Sequence, residues 1–377
     1  ESGKVTPATV FRDLPVTYEE GNWPKNDNRK YQFSRTVYQG ITSSINTIAV
    51  RTVDAIGHEY AYSFAKYNFG QKHLIEYYPT EWEDKSDIGR APLALGALTL
   101  GSTVREMSAA YATFANEGVW REPRLYTKIY NSDGVLVVDN TQENRKILGE
   151  KAVNYMNYCL DSAVATGTGT AADMESELGI DVAGKTGTTS GQKDRYFAGF
   201  TGYYTAAVWC GFDNPEQIVL SGSTANPAAR LWKKVMQPIH QGLGNEGLYN
   251  ANAMRTVNIC LDSGKLATNA CYNDVRGINR VAYANVYPGD EPKGTCDKHV
   301  QVEFCYEGGG AALHELLTQK PASLAVFIGP EGGFAPEEVM AAEAAGAVRI
   351  TLGPRILRTE TAGLCALSVL WTALGEM

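Results

Sequence analysis

Two short stretches carry residue types suited to acyl chemistry. Ser44-Ile45-Asn46 places a hydroxyl and a carboxamide two residues apart, and Lys185-Thr186-Gly187-Thr188-Thr189 sets a lysine among hydroxyls on a predicted strand. A strand edge of that kind can hold a substrate carboxylate while a backbone N–H stabilises an oxyanion. The Ser44 hydroxyl can relay a proton between nucleophile and leaving group, and Asn46 can orient a substrate amide. A Ser-x-Asn triplet alone arises by chance about once in a chain of this length. Its pairing with Lys-Thr-Gly, in this order, is what makes Ser44, Asn46 and Lys185 catalytic candidates.

A second constellation lies near the C-terminus. Gly329-Pro330-Glu331-Gly332-Gly333-Phe334 follows an apolar strand-like run and precedes a helix beginning near Pro336, the position of a ligand loop in an α/β unit. A second such strand closes with Leu352-Gly353-Pro354-Arg355-Ile356-Leu357-Arg358. Small residues let the backbone pass close to a ligand, and Arg355 and Arg358 can meet a carboxylate or phosphate. The pattern is not GxGxxG and no acidic residue ends the second strand, so dinucleotide binding is not supported.

These loops need elements to hold them. With 377 residues, 44% hydrophobic and 20% charged, the composition is that of a globular chain of two or three domains, not a disordered or collagen-like one. No apolar run reaches the roughly 18 residues of a membrane span, and a net charge of −8 disfavours nonspecific nucleic-acid binding. Residues 1–30 show no helical period and read as a long ordered loop. Helical spacing begins at Ser34. It continues to Gly118, with Ser102 or Thr103 as a cap before Glu106. KIYNSDGVLVVD reads as a hairpin, KAVNYMNYCLDSAVA as a helix, and DVAGKTGTTS, RYFAGF and TAAVWC as sequential antiparallel strands. NPAARLWKKVMQPI forms a helix packed on them. Beyond Gly308, Gly309 and Gly310, read as a flexible joint, the pattern becomes strand, helix, strand, helix. The class is α+β, in three parts: 1–243, a loop-rich extension 244–310, and 311–377.

Cys260, Cys271, Cys296 and Cys305 fall in that Gly-, Asn- and Asp-rich extension, and disulfides, with three possible connectivities, are the leading expectation. Free thiols are an alternative, as is a zinc site drawing on Cys296, His299 and Cys305, although paired CxxC spacing is lacking. No metal site is assigned. Cys159, Cys210 and Cys365 lie in apolar stretches as small buried hydrophobes. The histidines (His58, His73, His240, His299 and His314) form no Ser/His/Asp arrangement, and His58-Glu59 lacks the second histidine of HExxH.

Ser-x-Asn and Lys-Thr-Gly, with GTGTAA at 167–172 and DRYFAGF at 194–200, resemble the transpeptidase domain of class A penicillin-binding proteins. SGKLATNAC and GDEPKGTC resemble the extension that follows that domain in some Gram-positive relatives, carrying the likeness to about Tyr306. The resemblance implies a D,D-transpeptidase that cross-links peptidoglycan, needs no cofactor, takes stem peptides as substrate and is acylated by β-lactams. It assigns Thr186, Gly187 and Thr188 to substrate binding. It also implies an extracytoplasmic location with a membrane anchor upstream of Glu1. The family's nucleophile, the serine of Ser-x-x-Lys, is expected just before Glu1, so the fragment itself is expected to be inactive. Ser63-Phe-Ala-Lys66 and Ser190-Gly-Gln-Lys193 match that motif literally but follow Ser-x-Asn, and are read as structural.

The C-terminal pair of loops resembles the 16S ribosomal RNA uridine-N3 methyltransferase family, whose trefoil-knotted domain binds S-adenosylmethionine. The likeness covers about 313–377. It implies cofactor contacts from Gly329, Pro330, Glu331, Gly332, Gly333, Leu352, Gly353, Arg355 and Leu357, with rRNA as partner and a cytoplasmic setting. The family's RNA-binding domain has no counterpart, and the two settings lie on opposite sides of a membrane. A composite chain, a gene fusion or an assembly artefact, with apolar faces left uncovered and a poorly cooperative fold, is therefore expected.

Overall fold

The computed structural model describes all residues except 19–20, 82–83, 222–224, 273, 275–277, 300, 307, 313–323 and 375–377. His314 and the start of the expected cofactor-binding segment thus lie outside the described residues. Two compact units form: Glu1–Arg255 with Asn285–Asp290, and Thr256–Ala284 with Glu291–Met377. Among the described residues no helix is long and apolar enough to cross a membrane.

The first unit is built on three antiparallel strands, Ala183–Thr188, Arg195–Phe200 and Thr205–Cys210, with Arg195–Phe200 in the middle. Its apolar residues leave both faces to be covered. On one side Phe197 meets Trp232 and Met236 of the helix Pro227–Ile239, with Met174, Ile180 and Val182 completing a cluster almost devoid of solvent. On the other, Ala183 and Phe200 meet Leu160 of the helix Glu150–Ala165, with Tyr111 and Phe114 from the helix Val104–Ala115. That last helix starts as its sequence predicts: Thr103 and Glu106 form a reciprocal capping box. The α+β class and these strands agree with the sequence pattern.

The leading segment differs from expectation. Val10–Asp13 pairs antiparallel with Phe33–Thr36, so residues 1–30 are not simply a loop. What organises them is polar: the Asp13 carboxylate is buried and accepts from Thr47 Oγ1 at 2.6 Å, Asn26 Nδ2 at 2.7 Å and the Gln32 N–H at 2.8 Å. Such a knot of long-range side-chain bonds has no periodicity for a sequence pattern to reveal.

In the second unit the strands Gln301–Cys305, Ala311–Ala312, Leu324–Ile328 and Val348–Thr351 form an all-parallel sheet. Gln301–Cys305 pairs on one edge with Leu324–Ile328 and on the other with Val348–Thr351. The Gly308–Gly310 stretch therefore lies between strands of this sheet, not ahead of it. Phe304 and Ile350 are buried at its centre, and the helices Pro336–Ala344 and Thr359–Ala373 supply the expected alternation. The disulfide expectation is corrected: all seven cysteines are free thiols. The reason is placement. Cys305 belongs to this sheet, packed with Ile350 and Leu324, while Cys260, Cys271 and Cys296 converge elsewhere.

Candidate active site

Ser44 sits where one short helix ends and another begins. Thr36 and Gln39 cap the helix Val37–Thr42 reciprocally, and the chain then turns through Ser43, Ser44 and Ile45 before Asn46 opens the helix Asn46–Ile56. Ser44 has φ +55°, a left-handed conformation that non-glycine residues seldom adopt and that tends to persist at functional sites. The turn is fastened from below, because Thr47 is bonded to the buried Asp13 and Asn46 Nδ2 donates to the Lys25 carbonyl at 2.8 Å.

Lys185 comes from the strand Ala183–Thr188, an edge of its sheet among the described residues. Its Nζ donates to Ser44 Oγ at 2.8 Å, to the Thr186 carbonyl at 3.2 Å and to Thr168 Oγ1 at 3.4 Å. Thr186 Oγ1 and Thr168 Oγ1 share a further hydrogen bond of 2.9 Å. No carboxylate among the described residues lies within ion-pair distance of this ammonium. Loss of hydration without a counter-charge lowers its pKa to about 8. The Ser44, Thr168 and Thr186 hydroxyls and Asn46 line a cleft of about 1200 Å³, with the Lys185 ammonium bonded to two of those hydroxyls.

Most of the sequence-derived residues meet here. Ser44, Asn46, Thr186 and Thr188 line the cleft, and Lys185 is bonded into it through Ser44 and Thr168. Gly187 stands back: its carbonyl accepts from Asn226 Nδ2 at 3.4 Å, and Asn226 also caps the helix Pro227–Ile239. Thr168 and Asn226 carried no assigned role in the sequence reading. The signal for Thr168 is its flanking glycines, since a Cβ on Gly167 would overlap the Thr42 carbonyl at the end of the helix below Ser44. The two literal Ser-x-x-Lys matches differ in place. Lys66 donates to Tyr62 OH at 2.8 Å rather than to Ser63, and Ser190 reaches the cleft wall without Lys193.

The chain is similar to known proteins over most of its length. The family model described as the penicillin binding protein transpeptidase domain matches residues 1–237. The chain belongs to the penicillin-binding protein transpeptidase family. Penicillin-binding protein 1A of Clostridium botulinum is 34% identical over 286 residues, 74% of this chain and 33% of that protein. Penicillin-binding protein 1F of Bacillus subtilis is 31% identical over 239 residues, 62% of this chain and 31% of its own length. The chain thus spans about a third of the curated relatives it matches. Among solved structures, penicillin-binding protein 1A of Haemophilus influenzae aligns with TM-score 0.58 at 20% identity, over 78% of this chain and 47% of that one. The PonA1 protein of Mycobacterium tuberculosis in complex with penicillin V aligns with TM-score 0.53 at 18% identity, over 65% and 66%. Both show the fold. Residues 252–301 match the model for the C-terminal domain of penicillin-binding protein 1A, and residues 291–371 that of an RNA methyltransferase domain.

The second set of predicted residues also comes together. Gly329, Pro330, Glu331 and Gly333 face Leu352, Gly353, Arg355 and Leu357 around a cavity of about 960 Å³ at the C-terminal ends of the parallel strands. Gly332 does not line it. Thr359 Oγ1 donates to the Gly329 carbonyl at 3.3 Å, tying the start of the last helix to the first loop.

Proposed function

We propose that this chain supplies the substrate-binding and proton-relay half of a D,D-transpeptidase site, which cross-links peptidoglycan stem peptides by serine acyl transfer and is acylated by β-lactams. The observation that carries it is the 2.8 Å bond from Lys185 to Ser44 on the wall of a cleft beside an edge strand. A stem peptide can add to that edge through main-chain hydrogen bonds, its terminal carboxylate meeting the Lys185 ammonium and the Thr186 and Thr188 hydroxyls. Because Lys185 donates to Ser44 Oγ, the Ser44 hydroxyl proton is free to point at the leaving nitrogen and neutralise it as the acyl bond breaks. Asn46 stands on the same wall, poised to hold the substrate amide. Penicillin V in the related complex is consistent with a β-lactam in this role.

The acylated serine is proposed to come from Ser-x-x-Lys upstream of Glu1, in an extracytoplasmic protein anchored to the membrane by preceding sequence. No cofactor enters this chemistry. Mass spectrometry after incubation with penicillin G tests the reading. The 377-residue chain should remain unmodified, and the same gene product extended upstream through Ser-x-x-Lys should gain one penicilloyl adduct. An adduct on the shorter chain would place the nucleophile within it, and none on the longer would end the transpeptidase reading.

A second reading applies to residues 291–371: binding of S-adenosylmethionine, as in 16S rRNA uridine-N3 methylation. It is favoured by the convergence of both glycine-bearing loops on a cavity of small-molecule size, where Gly353, at φ +121°, leaves its backbone open. Gly329, Gly333, Leu352 and Leu357 would hold the nucleoside, with Arg355 near its carboxylate. S-adenosylmethionine would supply the methyl group there. Isothermal titration without heat would dispose of this reading. The two activities belong to opposite sides of a membrane, so a chain carrying both is a composite. One long DNA read across the codons for residues 306–313 decides whether it is a true fusion.

A further inference from the structure

Outside the cleft and the C-terminal cavity, one cluster of reactive side chains is fully enclosed. Cys260 ends the strand Arg255–Cys260, Cys271 lies in the short helix Asn269–Tyr272, and Cys296 and His299 sit in the loop before Gln301–Cys305. The three sulfurs and a His299 ring nitrogen all lie within 4.8 Å of one another, and all four residues are buried. The closest pairs are Cys260 Sγ–Cys296 Sγ at 3.3 Å, Cys296 Sγ–His299 Nδ1 at 3.3 Å and Cys260 Sγ–His299 Nδ1 at 3.4 Å. Four donors about 2.3 Å (sulfur) and about 2.0 Å (nitrogen) from a tetrahedral ion stand about 3.5–3.8 Å apart, so small adjustments suffice to seat one.

The surroundings select the same arrangement. His299 Nε2 lies 2.8 Å from Asp274 Oδ2 and 3.0 Å from Asp262 Oδ2. Carboxylates only accept, so Nε2 carries the proton and the Nδ1 lone pair faces the sulfurs, as metal-ligating histidines are commonly oriented. Arg280 holds Asp262 in turn, at 2.8 Å. Backbone N–H groups of Thr268 and Lys298 donate to Cys271 Sγ and Cys296 Sγ, each at 3.3 Å, which stabilises thiolates. A disulfide between any two of these cysteines would use two of the three sulfurs and leave the third as a buried thiol.

We propose that Cys260, Cys271, Cys296 and His299 bind one Zn²⁺ as a closed four-ligand site, with Asp262 and Asp274 positioning His299. Three thiols lose their protons to solvent on binding, and no redox step is involved. With no open position the ion is structural: it ties together the strand Arg255–Cys260, the helix Asn269–Tyr272 and the loop carrying Cys296 and His299.

The test uses the whole 377-residue chain, purified without chelator. Elemental analysis should find one zinc per chain, and X-ray absorption should show three sulfur neighbours and one nitrogen. Substitution by Co²⁺ should give the visible bands of a tetrahedral thiolate site. No zinc after refolding with Zn²⁺ under reducing conditions would overturn the proposal, as would a Cys260–Cys296 disulfide in peptides from protein purified in the presence of Zn²⁺. Because Cys260→Ser can simply misfold, two milder variants accompany it. His299→Cys should keep one zinc per chain. Asp274→Asn should lower affinity about 10–100-fold in chelator competition, and unchanged affinity would remove Asp274 from its positioning role.

Discussion

The cleft beside Lys185 and the C-terminal cavity are both made of short motifs brought together by a sheet, yet they rest on very different foundations. Behind Lys185 the antiparallel sheet is covered on both faces, with Trp232, Phe197 and Phe200 wholly buried. Around Gly329 the parallel sheet leaves Phe327 56% exposed, and the helix Thr359–Ala373 presents Leu364 at 70% and Trp371 at 53%. Parallel sheets are normally covered on both faces. A motif can therefore keep its local shape when its core is thin, but only the covered sheet can hold side chains to the tolerance that acyl transfer demands.

The largest effect that would break this comparison is on chemistry. In the gene product extended through Ser-x-x-Lys, Lys185→Ala should slow acylation by penicillin on the order of 10²–10⁴-fold while leaving the fold intact, as followed by stopped-flow labelling. A loss of less than tenfold would demote Lys185 to a bystander. Arg355→Ala in the other cavity should leave labelling unchanged.

Stability should separate the two regions almost as sharply. Trp232 fills the space under the central strand and its Nε1 donates to the Ala206 carbonyl at 3.1 Å, so Trp232→Ala should cost about 3–5 kcal/mol in denaturant unfolding. Trp371→Ala, at an exposed site, should fall within about 0.5 kcal/mol. Calorimetry should accordingly resolve more than one transition, with the C-terminal sheet melting first. One sharp transition would show that the exposed apolar surface is not the weakness proposed here.

How much of this was legible in the sequence follows the same division between local and long-range causes. The strand Ala183–Thr188, the capping box at Thr103 and the helix Pro227–Ile239 announce themselves through alternation, capping residues and period, which are local. Ser44, Asn46 and Lys185 were legible as motifs. Their meeting across 141 positions of chain was not, nor was Thr168, which reaches Lys185 only because Gly167 lets two backbones touch. Asp13, Asn26 and Thr47 form a buried polar knot from three segments, and a periodicity-based reading leaves all three in loops or helix faces. The four later cysteines stand out in a loop-rich Gly-, Asn- and Asp-rich stretch of the kind that disulfides commonly hold together, with no pairing specified, and the structure has them free. Which ones converge, and that Cys305 does not, depends on the strand Gln301–Cys305 joining the C-terminal sheet.

The pH dependence of the cleft sharpens the comparison further, because binding and stability should move in opposite directions. Lys185 titrates near 8 in the folded protein against a usual 10.5, so between these values the unfolded chain holds more protons on this group. Its contribution to stability therefore rises with pH across that window. Binding of an anionic substrate needs the ammonium, so the affinity of the non-covalent penicillin step should fall as pH rises through about 8. Lys185→Arg, charged throughout, should flatten both profiles, whereas an unaltered fall in affinity would assign it to another group.

The smallest expected effects test how the wall is trimmed. Asn226 both caps the helix Pro227–Ile239, accepting from the Ala228 N–H at 2.9 Å, and donates to the Gly187 and Tyr196 carbonyls. Asn226→Ala should cost about 1 kcal/mol through the cap alone. Asn226→Asp keeps the cap acceptor but replaces the donor to the Gly187 and Tyr196 carbonyls with an acceptor, so it should lower stability and loosen the edge strand beside the substrate. Hydrogen exchange at Gly187 and Thr188 reads this directly. Exchange there that quickens in Asn226→Asp by more than the lowered unfolding midpoint accounts for would show that the side chain positions the strand, and no such local excess would reduce it to a helix cap.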